Sequence, residues 1–149
     1  MSAAGRPDHE AGNAALELVI LAPALLFLIG LVIAFGRTCT AQNAVSDAAQ
    51  DAARQASLQL DPADAIAAAQ ASAQAALAQD GLQCDPRITV DVNGSGELPG
   101  FQAPVGQPAA VSATVTCVVS LSSIIVPGLP GSDTLTATVT SPLDPYRAR

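Results

Sequence analysis

The sequence predicts a membrane-anchored α+β protein: a long N-terminal transmembrane helix, a second alanine-rich helix, and a small antiparallel sheet of about three strands. Three observations predict it. An uncharged apolar run near the N-terminus is long enough to cross a bilayer. The apolar residues after it recur at three- and four-residue steps as far as residue 82. From Cys84 onward their period drops to two.

The span covers residues 16–35, and residues 18–35 contain no charge. At about 1.5 Å per residue they rise roughly 27 Å, close to the ~30 Å hydrocarbon core. Pro23 and Gly30 interrupt the run, which membrane helices tolerate. A buried core helix would need more apolar mass around it than this chain supplies, because only three Phe, one Tyr and no Trp are present. A secretory signal peptide usually has an apolar core of about 7–15 residues and then a small-residue cleavage site. Here the run continues through Gly36-Arg37 into a helical pattern, and Cys39-Thr40-Ala41 resembles such a site only loosely.

Charge does not orient the span. Arg6 stands against Asp8 and Glu10 before it, and Arg37 follows it. Relative size does: the expectation is a short cytoplasmic tail or leader at residues 1–12 and an exported remainder, in a single-pass cell-membrane protein. Glu17, at the start of the run, reads locally as an acid in a first helical turn, where the macrodipole favours it.

Beyond Arg37 the helix is expected to continue to about Leu60, a length of roughly 68 Å from Leu16. Ala41, Val45, Ala48, Ala49, Ala52 and Ala56 form one seam, with Asp47, Asp51 and Arg54 on other faces. Such a seam admits a close neighbour, either the next helix or another subunit. Asp61-Pro62 marks a restart, with Asp as N-cap and Pro at the first helical position. The second helix, within 61–82, runs through Ile66, Ala69, Ala73 and Leu77, and Gly81 is its C-terminal stop. Capping accounts for Asp61 and Asp64 better than a metal site does.

Three strands are expected within 83–149. Ile88, Val90 and Val92 alternate with polar residues, as do Val111, Ala113, Val115, Cys117, Val119 and Leu121 except for Val118, and then Leu135, Ala137 and Val139. Residues 93–108 read as one long Gly/Pro-rich loop. Residues 122–132, with apolar Ile124-Ile125-Val126-Pro127, read as a second. Cys84 and Cys117 share the inward parity of their segments, so a disulfide between them is feasible if their Cα atoms approach within about 7 Å. Cys39 is left over near the membrane boundary, either as a free thiol or for pairing with another subunit.

Function classes narrow quickly. The net charge is −7, and no basic patch with interleaved aromatics appears, so nucleic acid is not an expected partner. The one histidine, His9, lies in the short tail, away from any Ser or Cys of the exported part. No Gly-rich phosphate loop, zinc-ligand spacing or EF-hand loop is present. No enzyme, cofactor, metal or small-molecule substrate follows from the residues. What remains is a structural membrane protein, a solitary single-pass envelope protein with an extracytoplasmic binding domain, or a domain released by signal peptidase.

The stretch Gly12-Asn13-Ala14-Ala15-Leu16-Glu17-Leu18, followed by aliphatics and Pro23, resembles the start of TadE-like proteins, the pseudopilin-type components of tight-adherence (Flp) pilus systems. It is also similar to the type IV prepilin pattern, in which a peptidase cuts after glycine and glutamate is fifth in the mature chain. Counted from Asn13, Glu17 is fifth. The resemblance continues through Phe35-Gly36-Arg37, Ala41-Gln42-Asn43, Ala48-Ala49 and Ala52-Ala53-Arg54 to Ser141-Pro142-Leu143-Asp144-Pro145-Tyr146-Arg147; residues 13–60 form the TadE-like segment, and roughly the first 45 residues carry the specific part. It implies a pilin-like fold, processing between Gly12 and Asn13, and pairing of Glu17 with a freed N-terminal amine during assembly. The implied partners are the membrane and other pilus or secretion-apparatus proteins, met through the N-terminal helix. Family members commonly have a basic residue before the glycine; here Ala11 stands there, preceded by Asp8, His9 and Glu10.

Overall fold

The computed structural model describes residues 9–82, 84, 86–95, 98–120 and 132–146, with residues 9–16 described by their helical backbone alone. The apolar segment Ile124-Ile125-Val126-Pro127, with the rest of its loop up to residue 131, lies outside these residues, as do Leu121 and Arg147.

Helix α1 (His9–Ser57) is continuous over 49 residues. It therefore starts before Leu16, where the apolar run was expected to begin the helix. Hydropathy marks where lipid is tolerated, whereas alanines and an early acid favour helix regardless of lipid. Ser57 closes α1, its Oγ donating to the Arg54 carbonyl at 2.8 Å. The end thus falls three residues short of Leu60.

Helix α2 (Pro62–Gln79) begins and ends as its sequence predicts. Asp61 is extended (φ −108°, ψ 138°), and its carboxylate accepts the Ala63 N–H at 2.8 Å. At the other end Gly81 takes φ +69°, a left-handed conformation that costs glycine nothing. That turn lets the Gly81 N–H reach the Ala78 carbonyl at 3.2 Å and the Leu82 N–H reach Leu77 at 3.0 Å, a Schellman closure.

The α2 face that packs inward is Ala65, Ala69, Ala73 and Leu77. Ile66, expected on this face, is only half-buried. On α1 the buried set is wider than the expected seam and includes the adjacent pairs Ala44-Val45, Ala48-Ala49 and Ala52-Ala53. Adjacent residues on a helix point about 100° apart, so a single neighbour cannot cover both. Two neighbours do: α1 packs against α2 and against the sheet.

The sheet follows from β1 (Arg87–Asp91), β4 (Ala109–Ser120) and β5 (Ser132–Leu143), antiparallel in the order β1-β4-β5. Val111, Ala113, Val115 and Cys117 point inward from the central strand and are fully buried. Cross-strand register aligns Thr89, Thr114 and Thr138 in one outward row. The hydroxyls of Thr114 and Thr138 lie 2.8 Å apart, and those of Thr116 and Thr136 3.2 Å apart. Threonine suits this face because its branched Cβ fits the pleat and its hydroxyl finds a cross-strand partner.

The expected loop over 93–108 contains a short two-stranded hairpin, β2 (Gly94–Ser95) with β3 (Leu98–Pro99). Two backbone requirements build it. Gly94 has φ +146°, and a Cβ on Gly100 would overlap the Val92 carbonyl and the backbone of Asn93 and Gly94. The hairpin folds over the outer face of the sheet, where Ser95 Oγ lies 2.9 Å from Thr140 Oγ1. Ala110 points outward by parity yet is buried. Phe101 follows the hairpin, its N–H donating to Val92 at 2.9 Å and its ring entering the core.

Candidate functional site

Two halves of α1 differ in what surrounds them. From Ala41 onward its alanines are packed in the core. Before that, Leu18, Val19, Ile20 and Leu21 are each more than 60% exposed, and Leu25, Leu26, Phe27, Leu28, Val32 and Phe35 are exposed as well. The exposed apolar residues point in every direction around the axis. A helix apolar on all sides and uncovered by its own protein is stable in lipid, where its main-chain hydrogen bonds are internally satisfied. Among the described residues this is the one helix long and apolar enough to cross a membrane. It fits a single-pass membrane protein.

Gly12, Asn13 and Glu17 all lie on the first turns of α1. Asn13 and Glu17 are four apart, hence on one face. Glu17 is exposed. It lies about 36 Å along the axis from Ala41, where the packed headpiece begins. Glu17 is thus set apart from the packed headpiece along α1.

The three cysteines sit in the headpiece or just below it. Cys84 and Cys117 form the expected disulfide, with Cα atoms 5.7 Å apart. Cys117 is fully buried on the inner face of β4, and Cys84 is half-buried in the connection from α2 to β1. The bond ties that connection to the central strand. Cys39 is a free, exposed thiol on α1. Among the described residues no three His, Cys, Asp or Glu side chains are grouped to hold a metal ion.

The junction between the two halves has its own local chemistry. Thr38 Oγ1 donates to the Ala34 carbonyl at 3.1 Å, and Thr40 Oγ1 to the Gly36 carbonyl at 2.9 Å. These back-bonds satisfy hydroxyls where the helix leaves the apolar region. Farther along, Gln42 Nε2 donates to the Thr136 carbonyl at 3.4 Å, and Ser141 Oγ donates to Ser57 Oγ at 3.0 Å. The two contacts tether α1 to β5 at two separate points along the strand. Sequence reading missed them because neither follows from periodicity.

The exposed span and the start of the packed seam therefore form one uninterrupted helical unit, and this unit is where a known family appears. Residues 12–54 match the family model of the TadE-like protein. TadE-like proteins are associated with Tad/Flp pilus assembly. The TadE-like segment contains Gly12, Asn13, Glu17, the whole apolar run and the α1 seam as far as Arg54. It excludes α2 and the sheet. No curated protein and no solved structure matches the chain.

Proposed function

We propose that the chain is a non-enzymatic, pseudopilin or minor-pilin-like component of a tight-adherence pilus or secretion apparatus. One observation carries this reading: the TadE-like match coincides with the helix whose apolar side chains the protein itself leaves uncovered. A helix presented in this way is available to neighbouring helices in the bilayer, where close packing and shape replace the hydrophobic effect as the driving force. The headpiece then stands on the exported side, with the N-terminal tail cytoplasmic. The Cys84–Cys117 bond supports that orientation, since disulfides persist outside the reducing cytoplasm.

In this reading a prepilin-type peptidase cuts between Gly12 and Asn13. The new amine of Asn13 would lie one helical turn from Glu17, and a carboxylate paired with an ammonium at the membrane boundary is far less costly than either charge alone. Glu17 is then an assembly residue rather than a catalytic one. The test is deletion of the gene and complementation with the wild-type or Glu17→Ala chain, scored by pilus number and secreted cargo. Restoration by wild type alone is the expected result; unchanged assembly in the deletion strain would sink the proposal.

A further inference from the structure

The three-stranded sheet ends on two edges that run the same way. Among the described strands β1 and β5 each pair with β4 alone, and both are antiparallel to it. They are therefore parallel to one another. Their inward residues are also less well covered than those of β4: Ile88 and Val90 on β1, and Ala137 and Val139 on β5, stay half-buried. On the β5 side the surroundings are open, with a groove of about 480 Å³ between Asp51 and Arg54 of α1 and Val139, Thr140 and Ser141.

Hydrogen bonds fix which main-chain groups face outward. Thr89 Oγ1 donates to the Thr114 carbonyl at 3.5 Å, so that carbonyl points at β1. The even residues of β4 thus bond β1, and the odd ones bond β5. The short hydroxyl contacts Thr114–Thr138 and Thr116–Thr136 agree, because side chains lie closest in pairs whose main chains do not bond each other. By the same register, the even residues of β5 and Ile88 and Val90 of β1 turn N–H and C=O to the two edges. Each edge is closed at both ends. On β5, Gln42 already donates to the Thr136 carbonyl and Pro142 has no N–H. On β1, Pro86 has no N–H and the Val92 carbonyl accepts from Phe101.

We infer that β5 of one copy pairs in parallel with β1 of a second copy, with Thr138 beside Thr89 of the second copy. In that register Thr138 N–H donates to the Ile88 carbonyl, Val90 N–H to the Thr138 carbonyl, and Thr140 N–H to the Val90 carbonyl. Pro142 then faces the Val92 carbonyl, an acceptor that Phe101 has already satisfied. Ile88 comes beside Ala137 and Val90 beside Val139, which covers the half-buried apolar residues of both edges. Thr89, Thr114 and Thr138 share one level within a copy, so two copies at equal depth meet without sliding. The span sets the direction. Copies inserted the same way hold β1 and β5 parallel, whereas antiparallel pairing of two β5 edges would need one copy inverted. Different surfaces of the two copies meet, so the contact can repeat along a row. The inference rests on the membrane span and stands or falls separately from the pilus reading.

The test is cysteine cross-linking of the full-length chain in membranes, with Cys39→Ser throughout to remove the exposed thiol. Two differently tagged chains are co-expressed, one with Thr138→Cys and the other with Thr89→Cys, and mild oxidation is read on a non-reducing gel. Neighbouring strands lie about 4.8 Å apart, within reach of a disulfide. The expected result is a mixed dimer from the pair and none from either variant alone. Thr138→Cys with Gln107→Cys, an exposed position in the loop before β4, should also give none. Adding Thr140→Pro to the Thr138→Cys chain removes an outward N–H and should abolish the mixed dimer, with circular dichroism unchanged. Should that chain lose its fold, the cysteine pair decides by itself. No mixed dimer, a dimer of Thr138→Cys alone, equal linking to Gln107→Cys, or undiminished linking in a folded Thr140→Pro chain would each overturn the assignment.

Discussion

Cys84 and Cys117 are joined across 33 residues of sequence, one in the α2–β1 connection and the other at the buried centre of the sheet. The bond closes a loop that contains β1, the β2–β3 hairpin and most of β4. Closing a loop of that length restricts the unfolded chain by roughly 3–4 kcal/mol in the chain-entropy account. Cys84→Ser together with Cys117→Ser should lower unfolding stability by about that amount, measured by urea titration of the full-length protein in detergent. Reduction of the wild type should give the same midpoint as the double variant.

The tight seam between α1 and α2 should be intolerant of bulk. Ala49, Ala52, Ala69 and Ala73 are all fully buried, and alanine is what allows the two helices to approach. Ala52→Leu forces extra methylenes into that space and should cost about 1–3 kcal/mol. The neighbouring Asp51 is exposed, and Asp51→Leu should stay within about 0.5 kcal/mol of wild type. Thermal unfolding of the pair separates packing from any general effect of leucine on the helix.

Much of this architecture is legible in the sequence because its signals are chemical as well as periodic. Asp61-Pro62 and Gly81 bound α2 because a cap acceptor, a missing N–H and a left-handed residue are each needed at those sites. Parity places Cys117 and its strand neighbours inward, since a pleat leaves no choice of face. Where the expectation slips, alanine is the reason. Around Ala65 and Ile66, and along α1 from Ala44 to Ala56, small apolar residues surround the helix and periodicity barely distinguishes one face from the next. The hairpin at Gly94–Pro99 was missed for another reason: it rests on backbone space at Gly100, which no hydrophobic pattern records. The candidate site divides similarly. Apolarity reveals the span, but only family likeness singles out Gly12 and Asn13.

Glycines 81 and 100 make a paired prediction. Gly81→Ala leaves the surroundings open but forces a side chain into φ +69°, at a cost of about 1–2 kcal/mol. Gly100→Ala instead drives a Cβ into the Val92 carbonyl, and relief requires the chain after β3 to move away from Val92 and Asn93, with loss of the Phe101 N–H bond to Val92. It should be the more damaging of the two, and hydrogen exchange at the Phe101 amide should accelerate in Gly100→Ala while remaining near wild type in Gly81→Ala.

Glu17 tests the assembly reading without touching the fold. It is exposed at one end of α1, while the packed core begins with Ala41. Glu17→Gln therefore should leave the headpiece melting temperature, the Cys84–Cys117 bond and membrane fractionation as in wild type. It should nevertheless fail to restore pili or secretion in a deletion strain, because a neutral amide cannot form the ion pair with the amine of a processed Asn13. Glu17→Asp keeps the charge on a shorter arm and should restore assembly in part. The N-terminal residue of the mature wild-type protein decides what that result means. Asn13 at the terminus makes the charge dependence an assembly contact. An intact N-terminus would leave Glu17 without its amine partner, and normal function of Glu17→Gln would then follow from the same electrostatics.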